Sequence, residues 1–164
     1  MYTIIPAHTP LNHHQQFKNL MNPCITAISF WGLGYGFAYG KTAGSFIGGS
    51  LFFLQDDQFT AQSGVATGSL NFHTWFFQYT FAATAATIVS GSVAERCKLE
   101  AFFIFAMVIT TFIYPVVACW GWGDGFLSAF KSDHTTYLLG GVNSNNMIDF
   151  AGSGVVHMVG GFSG

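Results

Sequence analysis

The chain has 164 residues, of which 51% are hydrophobic, 18% are aromatic and only 7% are charged. A soluble domain carries about 25% charged residues, so this composition argues against an ordinary soluble globule and favours a membrane protein. A soluble protein with an unusually apolar core stays open as the alternative. The net charge of −2 and the lack of a basic cluster exclude a nucleic-acid partner.

The N-terminal residues 1–17 read as a polar tail that contains His8, His13 and His14. Three histidines in one short stretch offer possible metal ligands, but in a tail they are more often incidental, so no metal is predicted. No basic region precedes an apolar one, as it does in a secretory signal. The three cysteines lie far apart, which predicts neither a disulfide framework nor a zinc site.

Three long apolar segments follow, and each is long enough to cross a bilayer as a helix. They cover about residues 20–40, 72–94 and 99–120. The first is rich in glycine, which lets membrane helices approach closely. A polar loop separates the first two segments, and a short charged turn that contains Arg96 separates the second from the third.

A fourth apolar segment begins near residue 148 and reaches the last residue. It is about 24 Å long at 1.5 Å per residue, which is shorter than a full span. The sequence therefore predicts an all-α, polytopic transmembrane helix bundle with three full spans and part of a fourth. We expect the chain to be a truncated piece of a larger bundle.

The alternation of spans places the N-terminal tail and the 95–98 turn on one side and the two long loops on the other. Three Lys or Arg residues lie on the first side and two on the second, which weakly favours a cytoplasmic 95–98 turn.

The fourth segment contains one acid, Asp149, and one histidine, His157, in apolar and small-residue surroundings. Ionisable residues within a membrane usually face the bundle interior or a water-filled cavity. For His157 the alternatives are a pore-facing residue and a core histidine bonded to a backbone carbonyl. For Asp149 they are a ligand for a cation and an N-cap that satisfies free helix amides.

Aromatic residues cluster toward the same membrane side as Asp149. Phe77 and Phe81 are four residues apart and share one helix face, while Trp120 and Trp122 end the third segment. An interfacial aromatic belt explains them in the simplest way. A cation–π site at the mouth of a passage explains them together with Asp149.

The motifs of common enzymes are missing. The sequence contains no GxxxxGK[ST] loop, no GxGxxG and no paired-carboxylate or Ser/His/Asp arrangement. No predicted segment holds more than one histidine, which gives no support to a haem site. We therefore expect neither an enzyme nor a cofactor.

Four stretches resemble the ammonium transporters of the Amt/Mep/Rh superfamily, and the plant-type Amt branch most closely. They are FWGLGYGFAYG at 30–40, FQYTFAATAATIVSGSVAERCK at 77–98, YPVVACWGWGDGF at 114–126 and DFAGSGVVHMVGG at 149–161. The resemblance covers about residues 18–164, as one partial ammonium transporter domain with spans at about 20–40, 72–94, 99–120 and 148–164.

The resemblance implies a role for each candidate residue. Phe77, Trp122 and Asp149 correspond to the outer site that recruits ammonium, and Phe81 to a phenylalanine that closes the mouth of the pore. His157 corresponds to the first of two pore histidines. Ammonium would lose its proton at this site, and ammonia would pass the histidines, with the proton conducted along or near them.

The resemblance also implies a multi-pass protein of the plasma membrane, whose partners are ammonium or ammonia and the lipid bilayer, and which forms a homotrimer. The chain lacks the family's first span and the part that carries the second pore histidine. Two alternatives therefore remain, namely a membrane sensor or regulatory subunit that binds ammonium without transporting it, and a fragment with no activity of its own.

Overall fold

The computed structural model describes residues 10–42, 44–55, 68–93, 97–129 and 146–164. Most of these residues are helical. Within these ranges there is no β-strand, and strand-like pairing is limited to two isolated bridges, Thr42 with Gly48 and Ser128 with Met147. The predicted all-α class is confirmed.

The helices form four runs, three of which contain a π-helical turn. The first run joins α1 (Pro10–Ser29), a π-helical turn (Phe30–Gly34) and α2 (Tyr35–Tyr39). After a 3-10 turn (Phe52–Leu54) comes α3 (Gly68–Ser92). The third run joins α4 (Leu99–Val108), a π-helical turn (Ile109–Ile113) and α5 (Tyr114–Gly121). The last joins a π-helical turn (Ser153–Met158) and α6 (Val159–Ser163).

The first helix begins at Pro10, about ten residues before the start predicted near residue 20. Proline is well placed there, because the first helical position needs no amide donor. The added turns are anchored by Lys18, which is buried and lies over the Phe102 ring at 5.6 Å. Its Nζ also donates to the Cys97 carbonyl at 3.3 Å. Residues 10–17 of the predicted tail are therefore helical.

The structure does not test the metal alternative for the tail. His8 lies outside the described residues, and His13 is exposed on α1. Over the described ranges no group of three or more His, Cys, Asp or Glu side chains is placed to hold a metal ion.

The last helical run starts at Ser153, later than the predicted start near residue 148. Gly152 precedes it with a φ of 81°, a left-handed conformation that glycine adopts without strain. Asp149 therefore stands outside the helix, on the segment that leads into it.

One helical run in the described part of the chain, Leu99–Gly121, is long and apolar enough to cross a membrane by length and composition. It contains 23 residues and matches the predicted third span. Helices also occupy the other predicted spans, but they contain more polar residues and glycine, and those spans stay predictions.

The first run packs along α3 and α4, and α3 in turn packs against α6. Polar contacts fix the α1–α3 pair at two levels. Asn22 Nδ2 donates to the Ala83 carbonyl at 3.1 Å and to Thr87 Oγ1 at 2.8 Å. The Tyr79 hydroxyl donates to the Pro23 carbonyl at 3.1 Å. These bonds set the register of α3, which carries two of the candidate aromatics.

The π-helical turns of the first and third runs pack directly on each other at Gly34. A Cβ added there would lie 2.5 Å from the Thr110 carbonyl oxygen and 2.7 Å from Cδ2 of Phe30. Both distances are too short for real contacts, so the crossing requires glycine. π-helical insertions widen a helix by one residue and often occur at functional sites.

We predict that Gly34→Ala destabilises the protein by about 1–3 kcal/mol, because a methyl group has no room at the crossing. Thermal unfolding in detergent, followed by circular dichroism, measures this change. Gly91→Ala is the control, since a Cβ at Gly91 meets nothing within 4 Å and Ala favours a helix. Equal unfolding temperatures for the two variants would contradict the crowded crossing.

Candidate functional site

Phe77 and Phe81 form an aromatic pair on one face of α3. Their ring centroids are 4.9 Å apart, with the planes at 81°. This edge-to-face geometry is the arrangement that aromatic pairs prefer, and it follows from their four-residue spacing on a helix. Phe77 is 59% exposed, whereas Phe81 is partly buried against the core. One ring thus lies at the surface and the other one turn deeper.

Trp122 completes the aromatic group from a second helix. It follows α5 directly, and its ring lies 5.4 Å from the Phe81 ring at 60°. Its indole Nε1 donates to the backbone carbonyl of Asp149 at 2.7 Å. This bond ties the end of the third helical run to the segment before the fourth.

Asp149 is buried and serves as the N-terminal cap of the last helical run. Its Oδ1 accepts from the amides of Gly152 and Ser153 at 2.9 and 3.0 Å. Its Oδ2 accepts from the amides of Gly154 and Val155 at 2.9 and 2.7 Å. A helix start leaves four amides without intrahelical partners, and one side chain here satisfies four.

The geometry of Asp149 is therefore that of the helix cap, one of the two alternatives considered for it. A carboxylate has about four lone-pair sites, and four amides use them. The side chain has no acceptor position left for a direct ligand, so any effect of Asp149 on a cation would act through charge and positioning.

The four sequence-predicted residues of the mouth lie together around one cleft of about 290 Å³. Its lining consists of Phe77, Gln78, Phe81, Trp122, Asp149 and Phe150. The predicted convergence of aromatics and an acid from three segments is thus present in the structure. The functions of the individual residues stay predictions.

His157 does not line this cleft. It lies in the π-helical turn of the last run, five residues after Gly152, and its side chain is exposed. Its Nδ1 is 3.1 Å from the Gly152 carbonyl oxygen. When Nδ1 holds the proton it donates to that carbonyl, and Nε2 is left as an acceptor at the surface. One alternative predicted a core histidine that bonds a backbone carbonyl. The contact with a carbonyl is present, but His157 is exposed and does not lie in the core.

Trp120 stabilises the packing of the fold and does not line the cleft. Its Nε1 donates to the Phe46 carbonyl at 2.8 Å, and its ring packs on Phe46 and Phe126 at centroid distances of 5.2 and 5.4 Å. The two tryptophans at the end of the third segment therefore have different structural roles. Cys119, just before them, is fully buried and free.

Sequence reasoning missed two cleft residues, Gln78 and Phe150. Phe150 follows Asp149 and is 97% exposed. Gln78 follows Phe77 on an otherwise apolar span, and a polar side chain in that setting is the signal that could have found it.

Residues 10–164 match a family model described as Ammonium Transporter Family. The chain is 41% identical over 147 residues to "Putative ammonium transporter 1" of Caenorhabditis elegans, covering 88% of this chain and 24% of that protein. It is 39% identical over 156 residues to "Ammonium transporter 1 member 1" of Arabidopsis thaliana, covering 90% and 28%.

An archaeal relative, "Ammonium transporter Amt2" of Archaeoglobus fulgidus, is 39% identical over 145 residues, covering 88% of this chain and 28% of that protein. A solved structure titled "Sensor Amt Protein" superposes with a TM-score of 0.69 at 37% identity, covering 89% of this chain and 33% of that chain.

The chain spans about a quarter of the length of the curated relatives it matches. Its helices form part of the polytopic transporter fold, as the superposition requires, and its relatives are named as transporters and not as enzymes. The match over residues 10–164 covers nearly the whole chain, which therefore belongs to the ammonium transporter family of membrane proteins.

Proposed function

We propose that the protein to which this chain belongs carries ammonium across a membrane, with the cleft as the outer site that recruits the cation. The observation that carries the proposal is the convergence of Phe77, Phe81 and Trp122 with the buried Asp149 around one cleft. The plasma membrane and a homotrimeric assembly are part of the proposal and rest on the family resemblance.

The aromatic faces supply attraction for a cation without a direct charge partner. An aromatic ring attracts a cation through its quadrupole, and tryptophan does so most strongly. Phe81 and Trp122 lie close enough, at 5.4 Å between centroids, to act on one bound ion. Removing water from ammonium is costly, so the cleft has to offset part of that hydration.

Asp149 contributes by changing the sign of the charge at a helix end. The amide end of a helix carries about half a positive charge, which would repel a cation. The Asp149 carboxylate binds these amides and replaces that positive end by a net negative site. We infer that this charge attracts ammonium over a distance while the aromatic rings contact it.

His157 would act after recruitment, as a residue on the path of ammonia. Its exposed position and its Nδ1 contact with Gly152 leave Nε2 free to accept a hydrogen bond. Ammonium would give up its proton before this point, and ammonia would pass the histidine with the proton conducted along or near it. Potassium cannot lose a proton, which separates the two ions.

The second candidate function is a membrane sensor that binds ammonium without transporting it. One observation favours it, since the solved relative at 37% identity is titled "Sensor Amt Protein". Both functions use the cleft for binding, and only transport requires a continuous path past His157. Uptake measurements on the protein expressed from its complete gene therefore separate them.

We predict that Trp122→Leu raises the ammonium concentration for half-maximal uptake by roughly 2- to 30-fold, the range of one cation–π contact. Uptake is measured in cells that lack their own ammonium transport. The control is Trp31→Leu, because Trp31 packs on Phe53 away from the cleft. An unchanged half-maximal concentration for Trp122→Leu would argue against cation–π recruitment.

We predict that Asp149→Asn weakens ammonium affinity and lowers the unfolding temperature. The amide keeps the shape but offers one acceptor oxygen, so amides of the cap lose partners, at about 1–3 kcal/mol for each buried loss. Glu100→Gln removes a carboxylate near the start of α4 and serves as the control. Affinity equal to the wild type in a stable Asp149→Asn protein would refute the charge role.

We predict that His157→Ala alters or abolishes ammonium conduction without unfolding the protein, because the side chain is exposed. Uptake and selectivity over potassium are measured together. His73→Ala, an exposed histidine on α3, is the control. Unchanged uptake and selectivity in His157→Ala would remove His157 from the path.

A further inference from the structure

Ammonium carries four N–H donors, and the aromatic rings and the Asp149 cap offer these donors no free hydrogen-bond acceptor. In water each of these donors has an acceptor, and an unmet donor in a desolvated site is costly. Aromatic faces attract the charge but replace hydrogen-bond acceptors only weakly. The Asp149 carboxylate already accepts four amides, and the Trp122 indole is a donor that is itself in use.

Gln78 supplies the missing kind of group. It lines the cleft together with the aromatic residues and Asp149. Its Oε1 is buried and has no hydrogen-bond partner among the residues that the structure describes. A buried acceptor without a partner costs about 1–3 kcal/mol, so this oxygen gains from any donor that reaches it.

We propose that Gln78 Oε1 accepts a hydrogen bond from ammonium in the cleft and is a specificity-determining residue of the recruitment site. The inference rests on the proposed function, since it assigns a further contact to the same site. The terminal torsion of glutamine is broad, so the amide turns its oxygen toward the cleft at small cost. The oxygen then favours a cation that has N–H donors over one that has none.

A purely structural role for Gln78 makes a different prediction. Trp75 lies three residues earlier on α3, and its Nε1 is likewise buried with no partner among the described residues. Residues three apart on a helix are neighbours, so the indole N–H could pair with the Gln78 oxygen after a small adjustment. In that case the two residues would affect stability together and leave ammonium affinity unchanged.

The test uses Gln78→Met, which keeps the length of the side chain and removes the amide, and Gln78→Glu, which keeps an acceptor. Both are expressed from the complete gene, and uptake is measured against ammonium concentration. We expect Gln78→Met to raise the half-maximal concentration roughly 10- to 150-fold, the range for one hydrogen bond to a charged group, with the maximal rate unchanged. Gln78→Glu is expected to keep the wild-type value or lower it.

Tetramethylammonium, used as an inhibitor of uptake, separates hydrogen bonding from attraction of charge. It is a cation with no N–H donor, so its inhibition should be the same in Gln78→Met and the wild type, and weaker in Trp122→Leu. Gln15→Met is the matched control, because Gln15 also has a buried Oε1 without a described partner but lies on α1, one turn from Lys18, near the Cys97 end of the bundle.

An unchanged half-maximal concentration in Gln78→Met, with Trp122→Leu still impaired, would overturn the assignment and leave the proposed function intact. The assignment would also be overturned if Gln78→Met and Trp75→Phe lowered the unfolding temperature equally while both kept wild-type ammonium affinity. If Gln78→Met fails to fold, a wild-type affinity in Gln78→Leu would overturn the assignment equally. Lack of uptake by the wild type would instead refute the proposed function.

Discussion

The Asp149 carboxylate and the four amides that it accepts are the interaction on which the site depends. A buried charge is costly unless it is well hydrogen-bonded, and here both oxygens are fully used. The cap sets where the last helical run begins, with Gly152 in a left-handed conformation just before it. It also fixes the backbone carbonyl that Trp122 binds, so the cleft and the helix start are positioned by one residue.

Two helix ends of opposite sign meet near this residue. The run that ends at Gly121 brings its negative carbonyl end to Trp122, and the run that begins at Ser153 brings its positive amide end to Asp149. Left alone, the amide end would repel a cation. In the function that we propose, the carboxylate neutralises this end and adds negative charge, so the cleft attracts a cation although no carboxylate oxygen faces it freely.

Two kinds of feature in this site could be predicted from the sequence: those set by local spacing, and those that stand out because a charged group is energetically costly in an apolar segment. Phe77 and Phe81 share a face because they are four residues apart, and Asp149 stands out because an acid is costly in an apolar segment. The π-helical turns could not be predicted, because they depend on tertiary contacts such as Gly34 against the Thr110 carbonyl. The early helix start was missed for a similar reason, since Lys18 is buried by tertiary contacts that include Cys97 and Phe102.

A transport site has to bind its ion well enough to take it up and weakly enough to release it. A free carboxylate in a desolvated cleft would hold a cation strongly, because a charge pair is worth far more there than in water. Occupying both Asp149 oxygens with amides leaves its long-range attraction and removes the direct contact. In the site that we propose, the remaining contacts, aromatic rings and a neutral amide oxygen, are individually weak, which suits the passage of ammonium.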